Sequence, residues 1–469
     1  MNNDLEKLDS MPVGKAVLTN AIPAMLAMVM VLIYNMADLF FIGQTGDDLK
    51  VAAISMATPL FLLFMSLGNV FGVGGAALLS RNLGSGDHDT VQKISSFCFW
   101  SCIVVGILLS AAVFLAVDSI VIALGASGET VEMVASYLRI FSLSGVFILI
   151  SSCFSALVRA EGKPEKAMGG MMLGNLINII LDPILILTFE MGVEGAAVAT
   201  FIGNTCGGLY YLVYLLKKEK NQSMLSIKPT DFTLGEGIMK NILIIGVPSS
   251  LSSILMGLSQ VLINGQMATY GDMAVAGIGV AMKCTMITSM VCMGIGMGVQ
   301  PLLGYSIGAR NEERYKAVLK FSVIFSICVS GSLTILCYLA MTPIVNGFVS
   351  DPAAFEYGYT FSQVLISTSA IMALLFLISN ALQSAGAAKS AFFVNICRQG
   401  IVYIPALYIL GGTFGIYGLV YAQPVADVIT LIAAVLIYRH VSKDFFPEKE
   451  AQQSEHPSST TVQTANVKT

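Results

Sequence analysis

Charge is scarce in this chain. Asp, Glu, Lys and Arg make up 12 % of its 469 residues, about half the share of an ordinary soluble domain. Hydrophobic residues make up 55 %, and the mean hydropathy is +0.78. So few charges cannot coat a water-facing surface, which excludes a soluble enzyme, a disordered chain and a nucleic-acid binder. Histidine is equally sparse: His88, His440 and His456 all lie outside the apolar runs. There is no HExxH, no GxSxG and no phosphate-binding glycine loop, so neither catalysis nor a bound cofactor is expected. The nine cysteines fall singly inside apolar runs without the paired spacing of a zinc or redox site, and read as packing residues. No polar segment is long enough for a nucleotide-hydrolysing domain, which leaves an ion gradient as the energy source for any transport.

What the chain has instead is long apolar runs. Twelve of them are about as long as a bilayer-spanning helix needs: 17–42, 51–79, 92–116, 132–157, 166–188, 193–217, 240–266, 275–303, 316–341, 355–382, 390–411 and 415–438. Their length without alternation means helices, because lipid-facing backbone must satisfy its own hydrogen bonds. Residues 1–16 lack the apolar core and cleavage site of a signal peptide, so the first run is expected to remain as a span. Lys93, Arg159, Lys163, Lys217, Lys240, Arg310, Arg314, Lys389 and Arg439 fall in or beside the even-numbered connections or the tail, whereas the odd-numbered connections hold Lys50 and otherwise acids such as Glu129, Asp272 and Asp351. The positive-inside rule then predicts a multi-pass protein of the plasma membrane with both termini cytoplasmic.

The two halves repeat. FGVGGAALLSRNLGSGD from Phe71 aligns with IGMGVQPLLGYSIGARN from Ile295, GVEGAAVA from Gly192 aligns with GIYGLVYA from Gly415, and Pro23 falls opposite Pro248. The offsets stay between 223 and 225. Six spans per half bring both halves into the bilayer from the same side, so they are parallel repeats about an axis along the membrane normal. The expected organisation is a cytoplasmic segment 1–16, a six-helix bundle 17–217, a basic linker 218–239, a second six-helix bundle 240–440, and a polar, disordered cytoplasmic tail 441–469.

An ionisable side chain near mid-bilayer costs at least about 2.5 kcal/mol, so each one must be accounted for. Counting 1.5 Å per helical residue puts Asp38 and Asp182 each roughly 6 to 9 Å below the outer membrane face. Asn178 shares the helix face of Asp182, and Thr200 reaches the same depth from the next run. Two carboxylates, an amide and a hydroxyl form an oxygen set suited to Na⁺. Desolvation and mutual repulsion suit the same pair to a proton. A plainer reading makes Asp38 a helix cap and Asp182 the residue before a kink at Pro183.

In the second half Lys283, Arg398 and Asp427 are the unexpected charges, with Asp427 able to neutralise either cation. They either fix helix packing as an ion pair or line a substrate cavity. Arg139 lies near enough to a run end to snorkel. Met286 and Met290, with Met293 and Met297, form one face of the eighth run, where flexible thioethers suit either plain packing or a pocket for ligands of different shape.

The sequence resembles the multidrug and toxic compound extrusion (MATE) family, in its bacterial Na⁺- or H⁺-coupled multidrug branch. The resemblance is carried by YNMADLFFIGQTG, LLSRNLGSGD with LLGYSIGARN, ALVRAEGKPEKAM, NLINIILDPILI and AQPVADVIT, and covers Pro12 to Arg439. It implies two six-helix bundles arranged as a V around a central cavity, and a cation site at Asp38, Asn178, Asp182 and Thr200 with the Ala196 backbone as a further ligand and Tyr137 close by. It also makes Pro23 the counterpart of a bending proline. The acidic residues that some branches carry in the seventh and tenth helices are replaced here by neutral Gln260, Asn264 and Gln363, so the N-terminal site should dominate coupling. The activity expected is antiport: a monomeric, membrane-embedded transporter exporting small lipophilic organic cations in exchange for Na⁺ or H⁺ by alternating access. A lipid-precursor flippase of the same superfamily would be expected to have additional helices and a more basic cavity. A membrane-embedded lipid-modifying enzyme would need a denser acidic or metal constellation. A major-facilitator-type transporter would need a charged signature where RNLGSGDHD stands.

Overall fold

A computed structural model describes residues 8–217, 223–235, 237–349 and 351–446. Residues 1–7, part of the linker (218–222) and the tail beyond 446, expected to be disordered, lie outside the described residues. All regular structure among the described residues is helical.

The first half contains α1 (Val13–Gly43), α2 (Asp48–Ser85), α3 (His88–Leu115), the short α4 (Val117–Ala123), α5 (Thr130–Ser142), α6 (Gly145–Ala160), α7 (Pro164–Asp182) and α8 (Gly192–Leu216). The second contains α9 (Ile238–Ala268), α10 (Asp272–Gly308), α11 (Glu312–Leu339), the short α12 (Met341–Asn346), α13 (Pro352–Ile366), α14 (Ser369–Ser384), α15 (Ala388–Ile396) and α16 (Tyr403–Val441). Nine helical stretches among the described residues are individually long and apolar enough to cross a bilayer, and two bent pairs qualify jointly.

The bends fall at repeat-related places. The fourth and tenth runs, read as single spans, are broken between α5 and α6 by 57° and between α13 and α14 by 46°. Hydroxyl residues mark both breaks. Ser142 and Ser144 donate to the carbonyls of Arg139 (2.8 Å) and Phe141 (2.6 Å), and Ser367 and Ser369 donate to those of Val364 (2.6 Å) and Ile366 (2.7 Å). A side-chain donor that back-bonds to the preceding turn competes with the helix ladder and bends it. The long α16 reverses at Gly415 (φ 61°, ψ −140°), so the eleventh and twelfth runs are separate spans joined by a minimal turn. A Cβ on Gly418 would sit 1.9 Å from the Leu410 carbonyl oxygen, a proximity that a straight helix does not allow eight residues apart. Gly192, the repeat mate of Gly415, also has positive φ (55°).

The halves meet at the end of the molecule that carries the basic connections, called the basic end below. There α2 and α10 cross with glycine on both sides. A Cβ on Gly84 would lie 2.1 Å from the Tyr305 carbonyl oxygen, and one on Gly308 would lie 1.9 Å from that of Arg81. Because Gly84 and Gly308, like Arg81 and Tyr305, are repeat mates, the crossing obeys the sequence pseudosymmetry. The same holds deeper in: Gly298 of α10 packs on Ala21 of α1, while its mate Gly74 packs on Ile242 of α9 and Gly246 packs on Val70. Ser250 adds a hydrogen bond to the Ser66 carbonyl (2.6 Å). Arg81 reaches across to the Ala385 carbonyl (3.4 Å), and Arg314 holds the carbonyls of Leu8 (2.7 Å) and Met11 (3.1 Å), tying the N-terminal segment to the second half.

The connection between the halves is fastened to the first. Glu161, buried in the turn after α6, accepts hydrogen bonds from Tyr214 (2.9 Å), Ser223 (3.0 Å) and the Met224 N–H, with Lys163 Nζ 3.8 Å away. Burial pushes its carboxyl upward from the usual range, and Lys163 and these donors pull against that shift. Ser95 and Ser96 of α3 then hold Ser226 and the Lys228 carbonyl, and Phe232 stacks on Phe97 at 6.0 Å.

Candidate functional site

Four helices of the first half deliver the polar cluster. α1 brings Tyr34 and Asp38 one turn apart, α5 brings Tyr137, α7 brings Asn178 and Asp182 one turn apart, and α8 brings Ala196 and Thr200 one turn apart. Helical spacing of four keeps each pair on one face. Asp182 closes α7, and Pro183 directly after it opens a π-turn over Pro183–Thr188, which fits a chain that loses a backbone donor at that point.

The cluster is secluded. Asp182 and Ala196 are fully buried, Thr200, Asn178 and Tyr137 nearly so, and Asp38 is 9 % exposed. With its amide nitrogen toward Asp182, Asn178 donates to Asp182 Oδ2 at 3.0 Å, while its oxygen accepts from the Thr200 N–H (3.0 Å) and hydroxyl (3.2 Å). Asn178 therefore bridges α7 and α8 and fixes one carboxylate oxygen of Asp182. The other oxygen, Oδ1, is buried with no hydrogen-bond partner among the described residues, and so is Asp38 Oδ1. The phenols of Tyr34 and Tyr137 stand close enough to Asp38, Asp182 and Thr200 to interact with them electrostatically. Tyr137 is further held by stacking on Phe141 (6.1 Å between centroids).

An unpartnered buried carboxylate oxygen is costly, and a second carboxylate near enough to repel it adds to the cost. A proton or a small monovalent cation taken up by the pair would relieve both costs. The donor set fits such an ion: hard oxygens from two carboxylates and a hydroxyl, with no sulfur or imidazole. Among the described residues no group of three or more acidic, His or Cys side chains is placed to hold a metal, so a multivalent site with a richer acidic cage is not built here. Tyr34 was not evident as a member of the site, although its position four residues before Asp38 is the signal that would have placed it there.

The second-half charges are arranged differently. Arg398 Nε donates to Asp427 Oδ1 at 2.8 Å, and the same carboxylate accepts from Gln423 (3.0 Å) and, through Oδ2, from Thr368 (3.2 Å) at the α13–α14 bend. The Arg398 guanidinium also lies 5.3 Å from the Phe376 ring centroid. Asp427 thus pairs with Arg398 and not with Lys283. The Lys283 side chain is exposed and rests over Phe348 at 5.2 Å, a contact that an aliphatic stem with a cationic head favours. Gln260 and Asn264 are exposed on α9, and Met286 and Met290 are half-buried on α10. Arg139 pairs with Asp118 at 3.1 Å, both side chains largely exposed. Pro23 is buried in an α1 that continues through it without a break.

Comparison with known proteins follows the same division into halves. The family model MatE matches twice, over residues 23–184 and 248–409. Among curated proteins, the chain is 32 % identical over 441 residues to the multidrug export protein MepA of Staphylococcus aureus (strain NCTC 8325 / PS 47), covering 93 % of this chain and 96 % of that one. It is 30 % identical over 427 residues to MepA of Staphylococcus saprophyticus, covering 91 % and 93 %. Among solved structures, one described as an outward-facing conformation of a multidrug resistance MATE family transporter superposes with a TM-score of 0.90 at 24 % identity, covering 95 % of this chain and 99 % of that one. A transporter of the MOP superfamily from Pyrococcus furiosus superposes with a TM-score of 0.88 at 24 % identity, covering 94 % and 99 %. These structural likenesses carry the fold, and the sequence relatives carry the kinship. A repeated all-helical membrane architecture, matched by one family model in both halves and by relatives along nearly the whole chain, places this protein in the MATE family.

Proposed function

We propose that this protein exports lipophilic organic cations across the plasma membrane in exchange for Na⁺ or H⁺, with Asp38 and Asp182 as the coupling site. The observation that carries the reading is the pair of buried carboxylate oxygens without protein partners, which an incoming cation would satisfy. That the sequence relatives are multidrug export proteins supports export of drugs in general.

The basic end is assigned to the cytoplasm by the positive-inside rule. The halves pack together there through the glycine crossings of α2 with α10, which supports reading the arrangement as closed toward the cytoplasm and outward-facing. In that state an external ion reaches the cluster from the opposite face. Once bound, it cancels negative charge between α1, α7 and α8, weakens the hold on a cationic substrate, and favours the rearrangement of α1 on its neighbours in which Pro23 acts as the hinge. Moving one elementary charge inward through 100 mV contributes about 2.3 kcal/mol to the exchange. Asn178 and Thr200 position Asp182, and Thr200 retains hydroxyl lone pairs for the ion. Lys283, Met286, Met290, Gln260 and Asn264 are candidates for the second half's contribution to a substrate cavity between the halves, and the Arg398–Asp427 pair, neutralised within the protein, either borders that cavity or fixes helix packing.

The test is uptake of a fluorescent organic cation into proteoliposomes under Na⁺ and pH gradients imposed one at a time. Gradient-driven uptake that disappears in both Asp38→Asn and Asp182→Asn is the expected result. Undiminished uptake by both variants would overturn the assignment.

A further inference from the structure

At the basic end a groove of about 490 Å³ opens between the start of α15 and the last turns of α16, remote from the carboxylate cluster. Its chemistry changes with depth. Lys389, Ser390 and His440 form the rim, and Phe393, Leu436 and Ile437 form the wall. Lys389 and His440 are exposed, and so are Phe393 (47 %) and Leu436 (61 %), so the apolar wall is not closed off by other parts of the protein. Arg439 in the last turn of α16 and Lys443 in the turn directly after it, with Asp444 beside them, add net positive charge to this end of the helix near the groove. α15 also begins at Ala388 without a capping side chain.

We infer that this groove binds one anionic phospholipid, its phosphate against Lys389 and His440 and an acyl chain along Phe393, Leu436 and Ile437. Two complementarities converge on that occupant. The cationic rim sits where the helices leave the apolar part of the bilayer, the level of the headgroups, and a basic pocket between spans at this depth matches anionic headgroups. The wall below continues into the hydrocarbon as exposed aromatic and aliphatic surface, which suits a chain and gives a free anion nothing to bind. Free phosphate shares the headgroup chemistry, so the test must separate the two.

Purified protein reconstituted in nanodiscs of phosphatidylcholine with a minor fraction of phosphatidylglycerol is analysed by native mass spectrometry for retained lipid. Wild-type protein is expected to retain phosphatidylglycerol over phosphatidylcholine, and Lys389→Glu with His440→Glu is expected to lower that preference by about fivefold or more. The milder Lys389→Gln with His440→Gln should fall between, which keeps the test informative if the charge-reversed protein misfolds. Lys316→Glu, also toward the basic end but outside the groove, should leave the preference unchanged. Equal retention by wild type and either double variant overturns the inference. Displacement of the retained lipid by millimolar inorganic phosphate also overturns it, because the site would then recognise the anion alone.

Discussion

The two halves share a fold and differ in where they leave charge unsatisfied. In the first, Asp38 and Asp182 each keep a buried oxygen without a partner. In the second, Asp427 is fully engaged by Arg398, Gln423 and Thr368. By the repeat offsets, Ile263 stands where Asp38 does, and the segment Ile401 to Pro405 stands where Asn178 to Asp182 do. Ile263 is buried in an apolar cluster with Met267, Phe361, Tyr403 and Leu407. Conversely, Arg398 and Asp427 fall opposite Asn175 and Asn204. One duplicated scaffold therefore carries a pair of carboxylates with unpartnered oxygens on one side and a self-neutralised pair on the other. The lesson is that the fold tolerates polar groups at several depths, and that local pairing decides which of them can take up an ion.

Substitutions can break this contrast. The largest effect is expected from Asp38→Asn and Asp182→Asn, each reducing gradient-driven efflux to background while thermal unfolding in detergent stays near wild type, since either change removes a charge that has no cationic partner. Next comes Arg398→Ala, which leaves Asp427 buried and unpaired and should destabilise the protein by about 3–5 kcal/mol, measured by reversible unfolding in mixed micelles. The double variant Arg398→Met with Asp427→Leu should recover most of that loss. Equal loss in the single and double variants would show that the pair matters through more than its charge. Ile263→Asp sharpens the comparison from the other direction: at a position 2 % exposed it should cost about 3 kcal/mol and create no second coupling site, read as unchanged ion stoichiometry.

The smallest effect tests symmetry at the basic end. Asp87 caps α3 by accepting from the Thr90 N–H (3.0 Å), and its mate Asn311 caps α11 by accepting from the Arg314 N–H (2.9 Å). Alanine at either should cost about 1 kcal/mol. Only the Asp87 loss should depend on pH. Its hydrogen bonds with Thr90 hold the Asp87 carboxyl below the usual aspartate range, so its contribution is present above that range and is lost as pH falls through its lowered value.

Much of the cluster was legible because burying charge in a bilayer is expensive. Asp38, Asn178, Asp182 and Thr200 could be gathered from depth along helices and from spacing of four, without any contact being known. Other features left no such trace. The bends at Ser142–Ser144 and Ser367–Ser369 interrupt runs that stay apolar and contain no proline at the break, so hydropathy read each as one span. The partner of Asp427 depended on side-chain direction, which separates Arg398 from Lys283 only once α10, the turn after α15 and α16 are packed. Glu161 looked like an ordinary loop acid; its role in fastening residues 223–224 requires a strand of linker to return across α6 and α8, a long-range event that composition does not encode.

That fastening sets a leash length. Because the linker is pinned to the first half as far as Phe232, and α9 starts at Ile238, only five residues, 233–237, spanning six Cα–Cα steps, could pay out in any relative movement of the halves. Fully stretched those steps reach roughly 20 Å, a ceiling on how far the start of α9 can stand from its anchor in any conformation of the protein.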